Sequence, residues 1–252
     1  MSRLHVGTIG WSYDFWKGGF YPEALPSDQL LTFYSTKFNT VEIDNTFYRI
    51  PREKTVLEWK EKTPAGFVFS LKFPRIITHI KMLTDCQEET AIFLERVQLL
   101  EEKLGVLLLQ FPSLFQAKSL ALLREYLSGL PKTFRYAVEV RNKQLIGDEL
   151  FSLLRENNVA FVWVDGASAP AVNEVTAGFL YIRWEGDRQR VGGTLGRVEL
   201  ERTADLKSWA LKLKPFLIKK MGVFGYFSKY YSGFPPSDVR EFLSIAEKTV
   251  KE

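Results

Sequence analysis

Eight short apolar segments, each followed by a stretch of helical spacing or a loop, most narrow what this 252-residue chain can fold into. The strand candidates are 4–9, 41–43, 67–73, 106–111, 136–141, 159–165, 179–185 and 222–227. Helix candidates run from Asp28 to Phe38, Arg52 to Lys62, Glu88 to Lys103, Lys118 to Ser128, Asp148 to Asn157, Asp205 to Lys219 and Asp238 to Lys248. Gly105 follows the third of these and reads as its left-handed C-terminal residue. A crossover helix between strands imposes parallel pairing, and eight such units predict a single α/β domain over residues 1–252, a (β/α)8 TIM barrel with a closed parallel sheet. Residues 166–177 are Ala- and Pro-containing and short, so the sixth helix is expected to be short or irregular.

With 46% hydrophobic and 14% aromatic residues the chain can bury a substantial core. Its net charge of +4 is scattered, which permits a phosphate-bearing partner without demanding one. The one cysteine, Cys86, cannot form an internal disulfide, and there is neither a leader-like N-terminus nor a long apolar run. These features read as a cytoplasmic protein without a membrane partner, and none of them speaks to oligomeric state.

In a barrel of this kind the active site lies at the C-terminal ends of the strands. Side chains of a strand alternate between faces, so polar residues out of phase with the aliphatic ones share the opposite face. In VEIDNTFYR, Val41 and Ile43 leave Glu42 opposite, with Asp44 shaping the turn. The same parity sets Lys72 against Leu71 and Phe73, Gln110 against Leu107 and Leu109, and Glu139 and Arg141 against Val138 and Val140. It sets Asp165 against Val162 and Val164, and Arg183 and Glu185 against Ile182 and Trp184. Such a set reads as a ligand-binding mouth, because a purely structural cluster of this many charges costs desolvation that apolar residues avoid. A lumen-filling salt-bridge network is the plainer alternative.

Glu42 or Glu139 can act as general base with the other as acid, given environments that separate their titrations. Lys72 among carboxylates is expected to stay protonated and clamp an anion. His79, in RIITHI, suits proton transfer, against the plainer reading of a loop histidine bonded to a carbonyl; His5 reads as structural. No cofactor is predicted. Two histidines and one cysteine without paired spacing argue against zinc, leaving an all-carboxylate Mg²⁺ or Mn²⁺ set of Glu42, Glu139 and Asp165 as the metal alternative.

Two further stretches carry competing readings. The segment EGDRQRVGGTLGR, 185–197, interleaves glycines and arginines and reads either as an anion site or as a solvated flexible loop. The aromatic crowd Trp11, Tyr13, Phe15, Trp16, Phe20, Tyr21, Phe47 and Tyr48 reads as a packed plug or as a surface that stacks on a base or sugar.

The segments GTIGWSYDFWKGGFYP, FNTVEIDNTFYRIP, FSLKFPRIITH, LLLQFPSLF and YAVEVRN, in this order, resemble the domain of unknown function 72 (YecE-like) family. The resemblance covers most of the chain. It implies a TIM barrel with a polar cleft at the strand ends, and no established reaction. Family patterns fall on Glu42, Asn45, Tyr48, Lys72, His79, Gln110, Glu139, Arg141 and Asp165. The chain departs from them at NKQL, where members often carry a His/Trp segment, and at FSKYYSG, in place of an Asn-rich turn.

The expectation is therefore an enzyme acting by acid–base chemistry on a small polar, anionic or phosphorylated ligand. Glu42, Lys72, His79, Glu139 and Asp165 are its candidate catalytic residues, and Trp11, Asn45, Tyr48, Gln110, Arg141 and Arg183 its candidate binding residues. A nucleic-acid-binding barrel with stacking aromatic loops, or a non-catalytic metabolite binder, are the alternatives.

Overall fold

A computed structural model describes residues 4–167 and 172–251. Among these, eight strands are present: β1 Leu4–Thr8, β2 Thr40–Ile43, β3 Val68–Lys72, β4 Leu104–Phe111, β5 Arg135–Val140, β6 Ala160–Gly166, β7 Phe179–Gly186 and β8 Gly222–Phe227. The helices are α1 Leu30–Ser35, α2 Glu53–Glu61, α3 Gln87–Val97, α4 Leu120–Gly129, α5 Asp148–Glu156, α6 Thr203–Ile218 and α7 Pro235–Lys251. The strand order is β1-β8-β7-β6-β5-β4-β3-β2, and β1 pairs in parallel with β8. The first strand bonded to the last, with a helix between successive strands everywhere but between β6 and β7 among the described residues, is the (β/α)8 barrel order that the alternation predicts. After β6 the described residues 172–178 form no helix, while 168–171, part of the stretch expected to hold a short sixth helix, lie outside the described residues.

The chain divides into two compact units, one of residues 4–41, 164–167 and 179–251, the other of residues 42–163 and 172–178. In the first, the Trp184 indole stacks on Phe227 at 4.1 Å and packs against Phe242 of α7. Gly225 lies beneath that indole, where an added Cβ would come within 2.5 Å of the ring. Phe20 and Tyr21 are buried against Phe33, Phe20 also against Tyr34 and Phe38, and Trp16 is buried against Phe20 and Tyr21, so these three loop aromatics serve as a plug.

In the second unit, Phe69, Phe73, Phe93 and the run Val106 to Leu109 are fully buried. The continuous apolar run of β4 is what burial on both faces of a parallel strand requires. Two expectations are corrected here. The helix expected to reach Lys103 ends at Val97, and a tighter turn, Gln98–Lys103, is broken at Glu101 with φ 52° and ψ −122°. That break turns Lys103 back onto α2, where its Nζ donates to Lys60 O and Thr63 O, both at 2.6 Å, and so satisfies carbonyls at a helix end. Gly105 is a strand residue and not a helix cap. Its absent Cβ would meet Val68 Cγ1 at 2.6 Å and Phe69 O at 3.0 Å.

Gly105 also marks a bulge. Phe69 is level with Leu104, but Leu71 is level with Leu107 and Lys72 with Leu108, so β4 carries one extra residue between the two pairings. The Val106 amide, displaced from the regular ladder, donates to Ser70 Oγ at 3.2 Å. Because side-chain direction has a period of two, that one residue decides which face Lys72 shares with β4. Unbulged, Lys72 would be level with Leu107; bulged, it lies on the face of Leu108 and Gln110.

Candidate functional site

The bulge sets up the polar row of the second unit. Gln110 and Glu139 are level partners across β4 and β5, and Lys72 stands on the same face two residues earlier along β4. Lys72 Nζ donates to Gln110 Oε1 at 2.5 Å, and Gln110 Nε2 donates to Glu139 Oε1 at 2.6 Å. The glutamine thus presents its carbonyl to the cation and its amide to the carboxylate, the only orientation in which both bonds form. All three side chains are buried, and the Lys72 ammonium also sits 4.0 Å from the centre of the Phe47 ring. Arg141, just past the end of β5, brings Nε to 3.9 Å from Glu139 Oε1 while 53% of its side chain stays exposed. A buried, internally bonded row therefore ends in an accessible guanidinium.

Glu42, on β2, is fully buried. Beyond it, Asn45–Phe47 form a short helical turn, and Thr46 Oγ1 lies 2.7 Å from Lys72 O, which ties this turn to the end of β3. Asn45 and Tyr48 are exposed there, Tyr48 to 72%. The Asp44 carbonyl accepts from the Phe47 amide at 3.0 Å, the turn-shaping part expected of that residue.

His79 lies in a single π-helical turn, Ile76–Ile80, where the sequence reads as a loop; the Lys81 amide reaches back to Ile76 O at 2.9 Å. Its ring packs edge-on against Phe47 at 4.8 Å, so Phe47 touches both His79 and the Lys72 ammonium. Thr78 Oγ1 is 2.9 Å from His79 Nδ1. Burial, and then the Lys72, Arg141 and Arg75 cations, hold the imidazole pKa down at about 4, with Glu139 opposing them. His79 is therefore neutral near pH 7.

Three of the expected residues, Asp165, Arg183 and Trp11, belong to the first unit and bond to other groups there. Asp165 Oδ2 accepts from the Trp209 indole of α6 at 2.6 Å. Arg183 is buried with Nη1 2.5 Å from Glu185 Oε1, and Arg188 lies 3.9 Å from the other oxygen of that carboxylate. Trp11 is half-buried, and its carbonyl accepts from Tyr21 Oη at 2.6 Å.

In the glycine and arginine segment, the amides of Gly192 and Gly193 donate to Glu199 Oε2 and Oε1 at 2.9 and 2.8 Å. Val191 is buried and its amide bonds to Asp187 O, while Asp187 N bonds to Tyr230 O. The chain's own Glu199 carboxylate thus takes the Gly192 and Gly193 amides, and residues 187–193 are held by hydrogen bonds.

Among the described residues no group of three or more His, Cys, Asp or Glu is arranged to hold a metal ion, and no helix is long and apolar enough to cross a membrane. Sequence reasoning passed over Arg75, Thr78 and the bridging part of Phe47. Arg75 and Thr78 flank His79 within FPRIITH, and a charge count around that histidine was the signal available for the arginine.

The model of the family described as protein of unknown function DUF72 matches residues 5–252. The Escherichia coli K12 protein UPF0759 YecE is 34% identical over 154 residues, which are 60% of this chain and 54% of YecE. Bacillus subtilis UPF0759 protein YunF is 27% identical over 65% of this chain and 58% of its own. The aligned part is thus about half the length of these curated relatives. The crystal structure of a DUF72 family protein from Thermotoga maritima MSB8 superposes with a TM-score of 0.81 at 27% identity, over 99% of both chains. A DUF72 family protein from Enterococcus faecalis V583 superposes with a TM-score of 0.73 at 20% identity, over 99% of this chain and 96% of that one, a likeness of fold.

Proposed function

The chain belongs to the DUF72 family, whose activity is not established, and we propose that it acts on a small anionic or phosphorylated substrate by general acid–base chemistry at the ends of β3, β4 and β5. The observation that carries this reading is the charge around His79, where three cations, Lys72, Arg141 and Arg75, outweigh one carboxylate, Glu139. Even with Glu42 counted beside Glu139, the three cations leave a surplus positive charge at a partly accessible mouth, which favours an anionic guest. In this reading Arg141, exposed and forked, meets the anion first, and Lys72 completes the clamp. Lys72 stays protonated, since it already donates to Gln110 and lies over the Phe47 ring.

Proton transfer falls to Glu139 and His79, which share the Lys72 and Arg141 neighbourhood. Glu42, buried on β2, is the second carboxylate. Asn45 and Tyr48 are exposed on the adjoining turn, placed to contact the outer part of a substrate.

Inorganic phosphate is the probe. Calorimetry on the wild type and on Lys72→Met and Arg141→Gln is expected to show binding that each substitution weakens about tenfold, the equivalent of about 1.4 kcal/mol. The reading fails if phosphate does not bind, or binds all three proteins alike.

A further inference from the structure

The geometry points to a coupling between anion and proton: we propose that His79 takes up a proton when an anion settles between Lys72 and Arg141, so that binding the substrate arms its own acid. This rests on the anion site proposed above and adds a consequence that site need not have.

The groups that bear on His79 come from several elements. Lys72 ends β3, Glu139 lies on β5, Arg141 follows β5, and Arg75 precedes the π-helical turn. Phe47 stands against the ring and against the Lys72 ammonium, limiting the water that could screen the two from each other. Two unit charges within about 10 Å of each other interact by more than about 1 kcal/mol at an effective dielectric constant of about 20. The resting imidazole is neutral for the same reason, because burial and three neighbouring cations oppose a fourth positive charge. A doubly charged anion resting on Lys72 and Arg141 cancels the part of that opposition that comes from those two cations and leaves the part that comes from burial and Arg75.

The proton balance is simple. With the Thr78 hydroxyl donating to Pro74 O at 3.5 Å, His79 Nδ1–H donates to Thr78 Oγ1 at 2.9 Å, and in that tautomer Nε2 is the atom that gains a bond to hydrogen. The proton comes from solvent, and the site gains one positive charge as it gains the anion's negative ones. At pH 5.5, above the resting midpoint of about 4, the imidazolium is scarce in the empty site and about an order of magnitude more populated in the loaded one, where a leaving group that needs protonation would be present.

The chain has two histidines, His5 and His79, so histidine resonances report the titration directly. His5 is stacked on Phe224 in the other unit and serves as the internal reference. Sulfate is the probe, since it remains a dianion across the pH range used. Its effect is compared with sodium chloride at equal ionic strength. The expected result is a His79 midpoint that rises by about one unit or more with saturating sulfate, at 1.36 kcal/mol per unit, while His5 stays fixed. Arg141→Gln is expected to raise the midpoint of the empty site and to shrink the response to sulfate. Proton uptake on adding sulfate at pH 5.5, read with an indicator dye, provides the same test.

Amide shifts at Lys72 and Arg141 report sulfate binding independently. If they move and His79 neither shifts its midpoint nor takes up a proton, the coupling is overturned and the anion site stands. If sulfate does not bind at all, both readings fall.

Discussion

Gln110 and Glu139 are level with each other across β4 and β5 and joined by a 2.6 Å hydrogen bond from Nε2 to Oε1, while the same glutamine's oxygen accepts from Lys72. A neutral amide thus separates a buried cation from a buried carboxylate and keeps both charges oriented. Direct contact would let the ion pair neutralise itself, whereas the amide holds the two charges apart.

Gln110→Leu keeps the approximate volume and removes both bonds. Bonds to charged groups are worth about 1.5–3 kcal/mol each, so a loss of about 3 kcal/mol in unfolding free energy is expected after partial rescue by solvent. Urea unfolding monitored by tryptophan fluorescence checks this. A loss below about 0.5 kcal/mol, the range of ordinary surface substitutions, would show that the amide bridge does not hold the two charges.

The bulge that brings Lys72 onto the Gln110 face depends on Ser70, whose hydroxyl receives the Val106 amide. Ser70→Ala leaves that buried donor without this bond, at a cost of about 1–3 kcal/mol. The more telling readout is hydrogen exchange. The Val106 amide should exchange much faster in the variant, while the Leu108 amide, beyond the bulge in the regular ladder, should change only by the global loss of stability. Equal acceleration of both would mean that the hydroxyl does not patch the bulge.

How far the site was legible in the sequence differs residue by residue. Parity set Lys72 opposite Leu71 and Gln110 opposite Leu107 within their own strands, and the two side chains do meet. Their meeting depends on the bulge, an event between strands whose one visible sign, Gly105, reads equally well as the end of a helix. Parity also grouped Asp165 with this row, but nothing in its own strand announces that a tryptophan 44 residues later, Trp209, bonds its carboxylate. The π-helical turn at His79 escaped because wide turns carry no periodicity of their own. Strand and helix order was plain, since apolar spacing is a local property and barrel topology follows from it.

Asp238, near the start of α7, is buried and accepts from Ser232 Oγ at 2.7 Å. Burial raises its pKa from 3.8 to about 8, helped by Glu241 and Glu201 and opposed by the Ser232 bond and Arg202. In the unfolded chain the carboxyl loses its proton near pH 4. Between about pH 4 and 8 the native state therefore holds a proton that the unfolded state has lost, so this group's contribution to stability is complete below that window and falls as pH rises through it. Asp238→Asn removes the titration. The difference in urea midpoint, variant minus wild type, is expected to increase from pH 5 to 8 and then level off. A difference independent of pH would show that Asp238 is ionised in the folded protein.

Glu101 has φ 52° and ψ −122°, a region that favours glycine, at the break between α3 and β4. Holding a residue with a Cβ there costs on the order of 1–3 kcal/mol, while glycine adds about 0.5–1 kcal/mol of unfolded-state entropy. The side chain contributes an ion pair with Lys60 at 2.7 Å, but the Glu101 carboxylate is 65% exposed, and pairs of that kind are worth under about 1 kcal/mol. Relief of strain outweighs the two losses by a narrow margin, so Glu101→Gly is expected to raise stability by about 0.5 kcal/mol. Glu101→Ala gives up the same ion pair without relieving the backbone, and is expected to be less stable than the wild type. Thermal unfolding of the three proteins at low and at 1 M salt separates the contributions, since salt removes the ion pair and leaves the backbone strain. The glycine variant's advantage over wild type should grow in high salt, and an alanine variant as stable as the glycine one would place the cause outside the backbone.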